Sequence, residues 1–493
     1  MSDDGGRVAS ARLLLGFAGA PLAFAAVWLA PFDVSPPAHR LAAVLAAVVL
    51  LWVSEAIPMA MTAFLGVAAA VVLRVAPATE AFAPFADPLV FLFIGTFMLA
   101  QAIFFHGLDR RFAFAILGLP GVGGHPGRVL AAYAAATCAI SMWISNTATV
   151  AMMFPIGLSL LGVLEQHAGR ARLAAYATAL LLSTSFAASI GGLGTPVGTP
   201  PNLIGIGFVR REAGVALPFF SWMALGVPVV LLLQAFATVM LWRGGAAGRA
   251  VAGIGELIAR ERQALGPWTV GQVNTLVAFG LTVVLWVLPG VVALVAGDQD
   301  PLYRDLTAML PEGVVALLGA TLLFVLPTDR RRLEFTLPWS EAVKIDWWIV
   351  FLYGGGIALG TLAFKTGLAA ALGEGLTGLL GVRSELGLVA LATVIATILS
   401  ETTSNTASAN MVVPVAIALA RSAGVDPVLP GVAATMGASL GFMLPVSTPC
   451  NAIVYGSGRI PLTAMMRYGV ALDVAGVAAI IAVVGLLGPV VLR

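Results

Sequence analysis

Apolar residues in this chain do not alternate with polar ones but run together, near residues 12–31, 39–57, 59–76, 88–106, 173–209, 215–242, 268–296, 313–327, 347–366, 425–457 and 465–492. A helix needs about 20 apolar residues to cross about 30 Å of hydrocarbon, so these runs predict an all-α polytopic membrane protein with eleven spans. Two further apolar stretches, 128–162 and 384–420, carry Ser, Asn and Thr clustered at their centres. A helix polar at its midpoint is a poor lipid-facing span. These two stretches predict re-entrant hairpins that enter and leave on one side.

Composition removes the soluble alternatives. Of the 493 residues, 60% are hydrophobic and 10% charged, against about 25% charged in soluble globular chains. The two cysteines, Cys138 and Cys450, sit inside apolar stretches and suggest neither a disulfide framework nor a zinc site. A net charge of +2 argues against a nucleic-acid partner. The larger share of the Lys and Arg residues, Arg7 and Arg249 among them, falls on one side when the N-terminus is placed inside. Eleven spans then put the C-terminus outside. Arg210 and Arg211 fall on the outer side, against this pattern. The scarcity of Lys and the excess of Arg, Ala and Gly point to a bacterial source and hence an inner membrane.

A repeat underlies the runs. Ser145-Asn146-Thr147 recurs as Ser404-Asn405-Thr406, 259 residues on, with Met152 and Pro155 matched by Met411 and Pro414. A second pair, Pro196-Val-Gly198-Thr199-Pro200-Pro201-Asn202 and Pro445-Val-Ser447-Thr448-Pro449-Cys450-Asn451, is 249 residues apart. Prolines break a helix there, and broken helix at membrane depth occurs where it lines a cavity or is buried in protein. The expected organisation is a tail and first helix at 1–38, a first repeat at 39–242 with hairpin 128–162, an amphipathic cytoplasmic linker at 243–267, and a second repeat at 268–493 with hairpin 384–420. Each repeat holds five spans, an odd number, so the second copy is inverted. Inverted repeats with discontinuous helices point to the binding site of a secondary transporter.

Ser145 and Ser404 stand immediately before helix-compatible runs, so each motif is expected at a hairpin tip that opens a helix. A helix N-terminus suits an anion, and two such tips across a pseudo-twofold axis suit a dianion. Neither motif contains Arg or Lys. Unpaired buried charge is costly, and hydroxyl, amide and broken-helix carbonyl oxygens suit a cation such as Na⁺, so anion/cation symport is expected, with Na⁺ or H⁺ left open. Glu401 is the one carboxylate within either motif, facing Met142 in the first copy. It reads as hydrogen-bonded behind the tip rather than as a proton carrier. Lys365, Asp473 and Glu55 read as residues of membrane ends or packing faces.

These four motifs resemble those of the divalent anion/sodium symporter family, over about residues 10–490. The resemblance implies a homodimer in which a transport domain moves elevator-fashion against a fixed scaffold. It also implies dicarboxylate substrates such as succinate, malate and fumarate, with citrate or sulfate in some branches. Carried over by motif, one Na⁺ site would use Ser141, Ser145, Asn146 and the Gly198 carbonyl, and a second Ser400, Thr403, Asn405 and Ser447. The substrate would meet Ser145, Asn146, Thr147, Ser404, Asn405 and Thr406, with Thr199, Pro200, Thr448 and Pro449 walling the pocket. Cys450 departs from the pattern, standing where the first half has Pro201. The reading is a Na⁺-coupled C4-dicarboxylate symporter, not an enzyme. Its rivals are a Na⁺-independent exchanger, a sulfate or citrate symporter and, from another class, an anion channel. A channel needs a continuous polar path, whereas polarity here is gathered into four clusters.

Overall fold

A computed structural model describes residues 12–123, 125–245, 253–297 and 299–492. The tail with Arg7 and the part of the linker with Arg249 lie outside the described residues. Helices begin where a capping side chain is followed by proline, whose missing N–H is no loss in a first turn. Ser35 caps α2 (Pro36–Ser54) and Asp87 caps α4 (Pro88–Phe105) in this way. Ahead of them lies α1 (Ala20–Leu29), and between them α3 (Met59–Val72). After α4 an amphipathic α5 (Leu108–Leu117) leads to the hairpin pair α6 (Pro126–Ser141) and α7 (Asn146–Ala168). The run 173–209, counted as one span and expected to break near its prolines, is two helices, α8 (Ala174–Gly192) and α9 (Pro200–Phe208). Helix α10 (Phe219–Gly244) closes the first half.

Between the halves lies α11 (Ile254–Ala264), which buries Ile254, Leu257 and Ile258 and packs against α5 and α7. The second half opens with α12 (Val270–Ala296), started by a Thr269/Gln272 capping box. Helices α13 (Pro301–Met309) and α14 (Glu312–Val325) meet at a 57° bend. A small hairpin, β1 (Pro327–Asp329) with β2 (Glu334–Phe335), precedes α15 (Trp347–Lys365) and the amphipathic α16 (Leu368–Leu380). Then come the second hairpin pair, α17 (Glu385–Thr402) and α18 (Asn405–Ser422), and a second broken run, α19 (Val428–Gly437) and α20 (Pro449–Tyr455). Helix α21 (Leu462–Val491) ends the fold.

Among the described residues ten helices are long and apolar enough to cross a membrane, or eleven if α13 and α14 form one span. The ten include α7 and α17, arms of the two hairpins, so length and apolarity alone do not separate an arm from a span. Burial orders the helices: α8 is 89% buried at mean hydropathy 1.6, whereas α12 is 17% buried at 2.4. The interior helix can carry Ser183, Thr184, Ser185 and Ser189 because protein, not lipid, surrounds it. Glycine allows the closest approaches. A side chain at Gly437 would lie 2.7 Å from the Thr393 carbonyl oxygen, so α17 and α19 touch through backbone.

The misplaced arginines have a local explanation. Arg210 and Arg211 bind the two oxygens of Asp87 at 2.6 and 2.7 Å, and the Asp87 side chain is 2% exposed. Both belong to an ion cluster at the α4 N-terminus rather than standing as free basic residues.

Candidate functional site

Each hairpin turns in four or fewer residues and opens its second helix with a serine cap. Ser145 Oγ accepts from the Ala148 amide at 3.3 Å, and Ser404 Oγ accepts from the Ala407 amide at 3.2 Å. Ser141 Oγ donates to Asn146 Oδ1 at 2.8 Å, and Ser400 Oγ to Asn405 Oδ1 at 2.8 Å. The loops of the broken runs are folded by their asparagines. Asn202 Nδ2 donates to the Gly192 and Thr195 carbonyls at 2.8 and 2.7 Å, and Asn451 Nδ2 to the Gly441 and Leu444 carbonyls at 3.0 and 2.9 Å. Each loop is thereby curled beside the asparagine of its own hairpin. A Cβ on Gly192 would come within 2.6 Å of Asn146 Oδ1, and one on Gly441 within 3.3 Å of Asn405 Oδ1.

Two oxygen-rich cradles result. The first gathers Ser141, Asn146 and the loop that carries Gly198. The second gathers Ser400, Asn405 and the loop that carries Ser447, whose hydroxyl is already engaged with Glu401. Thr403 Oγ1 donates to its own helix, to the Leu399 carbonyl at 2.8 Å. Hydroxyl, amide and carbonyl oxygens without a basic side chain suit a small hard cation.

The halves also cross. Helix α7 and helix α8 pack against α20, and α18 packs against α9. Asn146 and Pro449 therefore open neighbouring helices, as do Asn405 and Pro200. Ser185 Oγ donates to Asn451 Oδ1 at 2.5 Å, and the adjoining Cys450 is buried. Among the described residues no hydrogen bond joins the two tips to each other. Thr147 is exposed and Thr406 buried; Thr199 and Thr448 are buried, while Pro449 is exposed and Pro200 half-buried. Ser404 Oγ reaches Met59 Sδ at 3.1 Å, which seats the second tip on α3. Apolar space lies apart from these clusters: a cavity of about 420 Å³ between α2, α15, α16 and α18 is lined by residues such as Leu45, Leu359, Leu372 and Met411, a surface for hydrocarbon.

Glu401 sits behind its tip as expected. Its Oε1 accepts from the Met443 amide at 2.7 Å, and its Oε2 from the Leu444 amide at 3.2 Å and Ser447 Oγ at 2.6 Å. Asp473 is buried on the packed face of α21, beside Glu401.

Sequence reasoning left out Gly192, Gly441, Thr195, Ser185 and the structural work of Asn202 and Asn451. The 249-residue spacing of the loops was the available signal, since it also pairs Gly192 with Gly441 and Arg210 with Arg459. Arg459 holds Glu165 at 2.8 Å, so this position carries an arginine ion pair in both halves.

The family model described as the sodium:sulfate symporter transmembrane region matches residues 17–492. The chain belongs to the divalent anion/sodium symporter family. As a member it is a membrane transporter rather than an enzyme. Family relatives include a sodium-dependent dicarboxylate transporter of Staphylococcus saprophyticus, 33% identical over 90% of this chain and 84% of that protein. The Staphylococcus aureus counterpart is 31% identical over the same shares. The fold is also similar to that of the Alcanivorax borkumensis YdaH transporter, at TM-score 0.57 and 16% identity over 84% of this chain and 88% of that one. Neisseria gonorrhoeae MtrF is similar at TM-score 0.53 and 12% identity, over 82% of each chain.

Proposed function

We propose that this symporter-family member couples Na⁺ to the uptake of C4-dicarboxylates such as succinate, malate and fumarate. One observation carries the reading: the same cradle of serine, asparagine and curled loop is built twice, beside helix N-termini, with no basic side chain in either copy. A dianion held by helix N-termini alone leaves its charge uncompensated, and a cation in each cradle supplies the compensation and the driving force. Ser145, Asn146, Thr147, Ser404, Asn405 and Thr406 hold the carboxylates, with Thr199, Pro200, Thr448 and Pro449 as walls. Ser141, Ser145, Asn146 and Gly198 hold one Na⁺, and Ser400, Thr403, Asn405 and Ser447 the other. The names of the staphylococcal relatives support both the ion and the substrate class.

The two repeats, 39–242 and 268–493, are inverted in the membrane, and the hairpins and broken helices move as an elevator against a scaffold within a homodimer. The protein sits in a bacterial inner membrane with its N-terminus cytoplasmic. Uptake of labelled succinate into proteoliposomes tests the reading. An inward Na⁺ gradient is expected to drive accumulation. Uptake that ignores Na⁺ and needs preloaded dicarboxylate would replace symport by exchange, and sulfate or citrate outcompeting succinate would reassign the substrate.

A further inference from the structure

In both cradles the loop donates and the tip accepts, but different side chains make the bonds. In the first half the loop supplies the donor: Thr195 Oγ1 donates to the Met142 carbonyl of the tip at 2.5 Å. In the second half the tip supplies the acceptor: Glu401, at the position of Met142, takes the amides of Met443 and Leu444 and the hydroxyl of Ser447. Leu444 stands where the first half has Thr195, and the loop hydroxyl that reaches the tip carbonyl comes instead from Ser447, at 2.9 Å. The Glu401 carboxylate adds three bonds that Met142 cannot make.

This bears on what Ser447 can offer. Its hydroxyl has a single proton, shared between the Glu401 carboxylate at 2.6 Å and the Glu401 carbonyl at 2.9 Å. The side chain is 2% exposed as part of a fully buried residue. The matching residue of the first half is Gly198, which has only a carbonyl. We infer that Glu401 is a positioning residue for the second cation site, holding loop 443–447 so that the Ser447 carbonyl, and not its hydroxyl, faces the ion. The inference rests on the Na⁺-coupled reading above and adds to it which atom of Ser447 binds and what holds it in place. The groups that face the carboxylate are the three donors just named and Asp473 of α21.

Outer-shell groups of this kind change metal affinity by about 10–100-fold when removed. The test measures the Na⁺ concentration for half-maximal thermal stabilisation of the purified full-length protein without substrate, and the same quantity for succinate uptake. Glu401→Met, which installs the first-half residue, is expected to raise both at least about tenfold while uptake at saturating Na⁺ recovers, and to lower the melting temperature with and without Na⁺ because the Met443 and Leu444 amides lose their acceptor. Glu401→Gln, which keeps one acceptor oxygen, is expected to fall between. Ser447→Ala is expected to change half-saturation by less than about threefold, because it keeps the carbonyl and two of three Glu401 bonds. Half-saturation unchanged in Glu401→Gln and Glu401→Met overturns the inference, and so does a large loss confined to Ser447→Ala. If Glu401→Met does not fold, Glu401→Gln alone decides. Failure of the unsubstituted protein to respond to Na⁺ in either readout would instead remove the symport reading, and this inference with it.

Discussion

The first and second cradles agree in shape and differ in tightness. Both hold an asparagine by a serine hydroxyl at 2.8 Å and both curl a loop through an asparagine amide. Yet Gly192 stands so close to Asn146 that an added Cβ would sit 2.6 Å from its oxygen, while the same addition at Gly441 leaves 3.2 to 3.3 Å to Ser400 and Asn405. What the duplication has kept is the placement of oxygen atoms around a small volume. The bonds that fasten that placement have diverged, from a threonine hydroxyl in one copy to a carboxylate in the other. On the reading proposed above, in which each cradle holds a cation, the ligands are more constrained than their supports.

The largest effect is expected where the copies agree. Asn146→Ala and Asn405→Ala each remove the amide to which the tip serine donates, and Na⁺-driven succinate uptake should fall by about a hundredfold or more in either. Both proteins should still elute as folded species, since each substitution deletes a half-buried polar side chain. Near-normal uptake by either one would break the equivalence of the two cradles. A smaller and unequal pair of effects tests where they differ. Gly192→Ala should lower uptake at least about tenfold, because the overpacking falls on the Asn146 amide and on the Thr199 Cβ. Gly441→Ala should cost no more than about threefold, since its neighbours need to move only a few tenths of an ångström. Equal losses would mean that the difference in tightness has no functional weight.

How far the sequence carries this picture depends on the kind of feature. The hairpins were legible because Ser, Asn and Thr at the centre of an apolar run have no place against lipid, and the serine caps because Ser145 and Ser404 stand directly before helical sequence. The broken helices were legible from their prolines, although 173–209 counts as one apolar run, since Gly192–Gly198 is apolar enough to hide the extent of a loop whose polar backbone is satisfied by Asn202. The amphipathic helices at 108–117 and 368–380 were missed because they are too short and too mixed to register as spans. Glycines 192 and 441 were illegible as site residues, because their contribution is the absence of a side chain next to an atom far away in sequence. The nearness of Asp473 to Glu401 was illegible for a similar reason, as nothing in its own helix announces that neighbour.

A second comparison concerns the two arginines paired by the same spacing. Asp87 is nearly inaccessible and serves two guanidiniums that are 33% and 26% exposed. Asp87→Asn leaves both without a counter-charge beside a buried amide, and also weakens a helix cap. Discounting for the partly wet arginines, the loss of stability should be about 2–3 kcal/mol, read as a lowered melting temperature in detergent. Loss of uptake without loss of stability would instead assign this cluster to the transport cycle.

The smallest effect belongs to the partner cluster. Glu165 and Arg459 form a two-bond pair at 2.8 and 3.3 Å, with side-chain exposures of 15% and 23%. Only one guanidinium loses its partner in Glu165→Gln, and the glutamine oxygen can still accept one of its two bonds. The carboxylate also caps no helix, being near the end of α7 rather than its start. The expected loss is about 1 kcal/mol, and the part of it that is Coulombic should shrink as salt is added. Comparing the melting temperatures of Glu165→Gln and Asp87→Asn at low and high salt therefore separates the two clusters: the Glu165 deficit should narrow with salt, while the Asp87 deficit, set by a carboxylate that water barely reaches, should persist. If the two deficits are equal and respond alike, the shared 249-residue position imposes a common energetic role, and the deeper burial of Asp87 is not what distinguishes the halves.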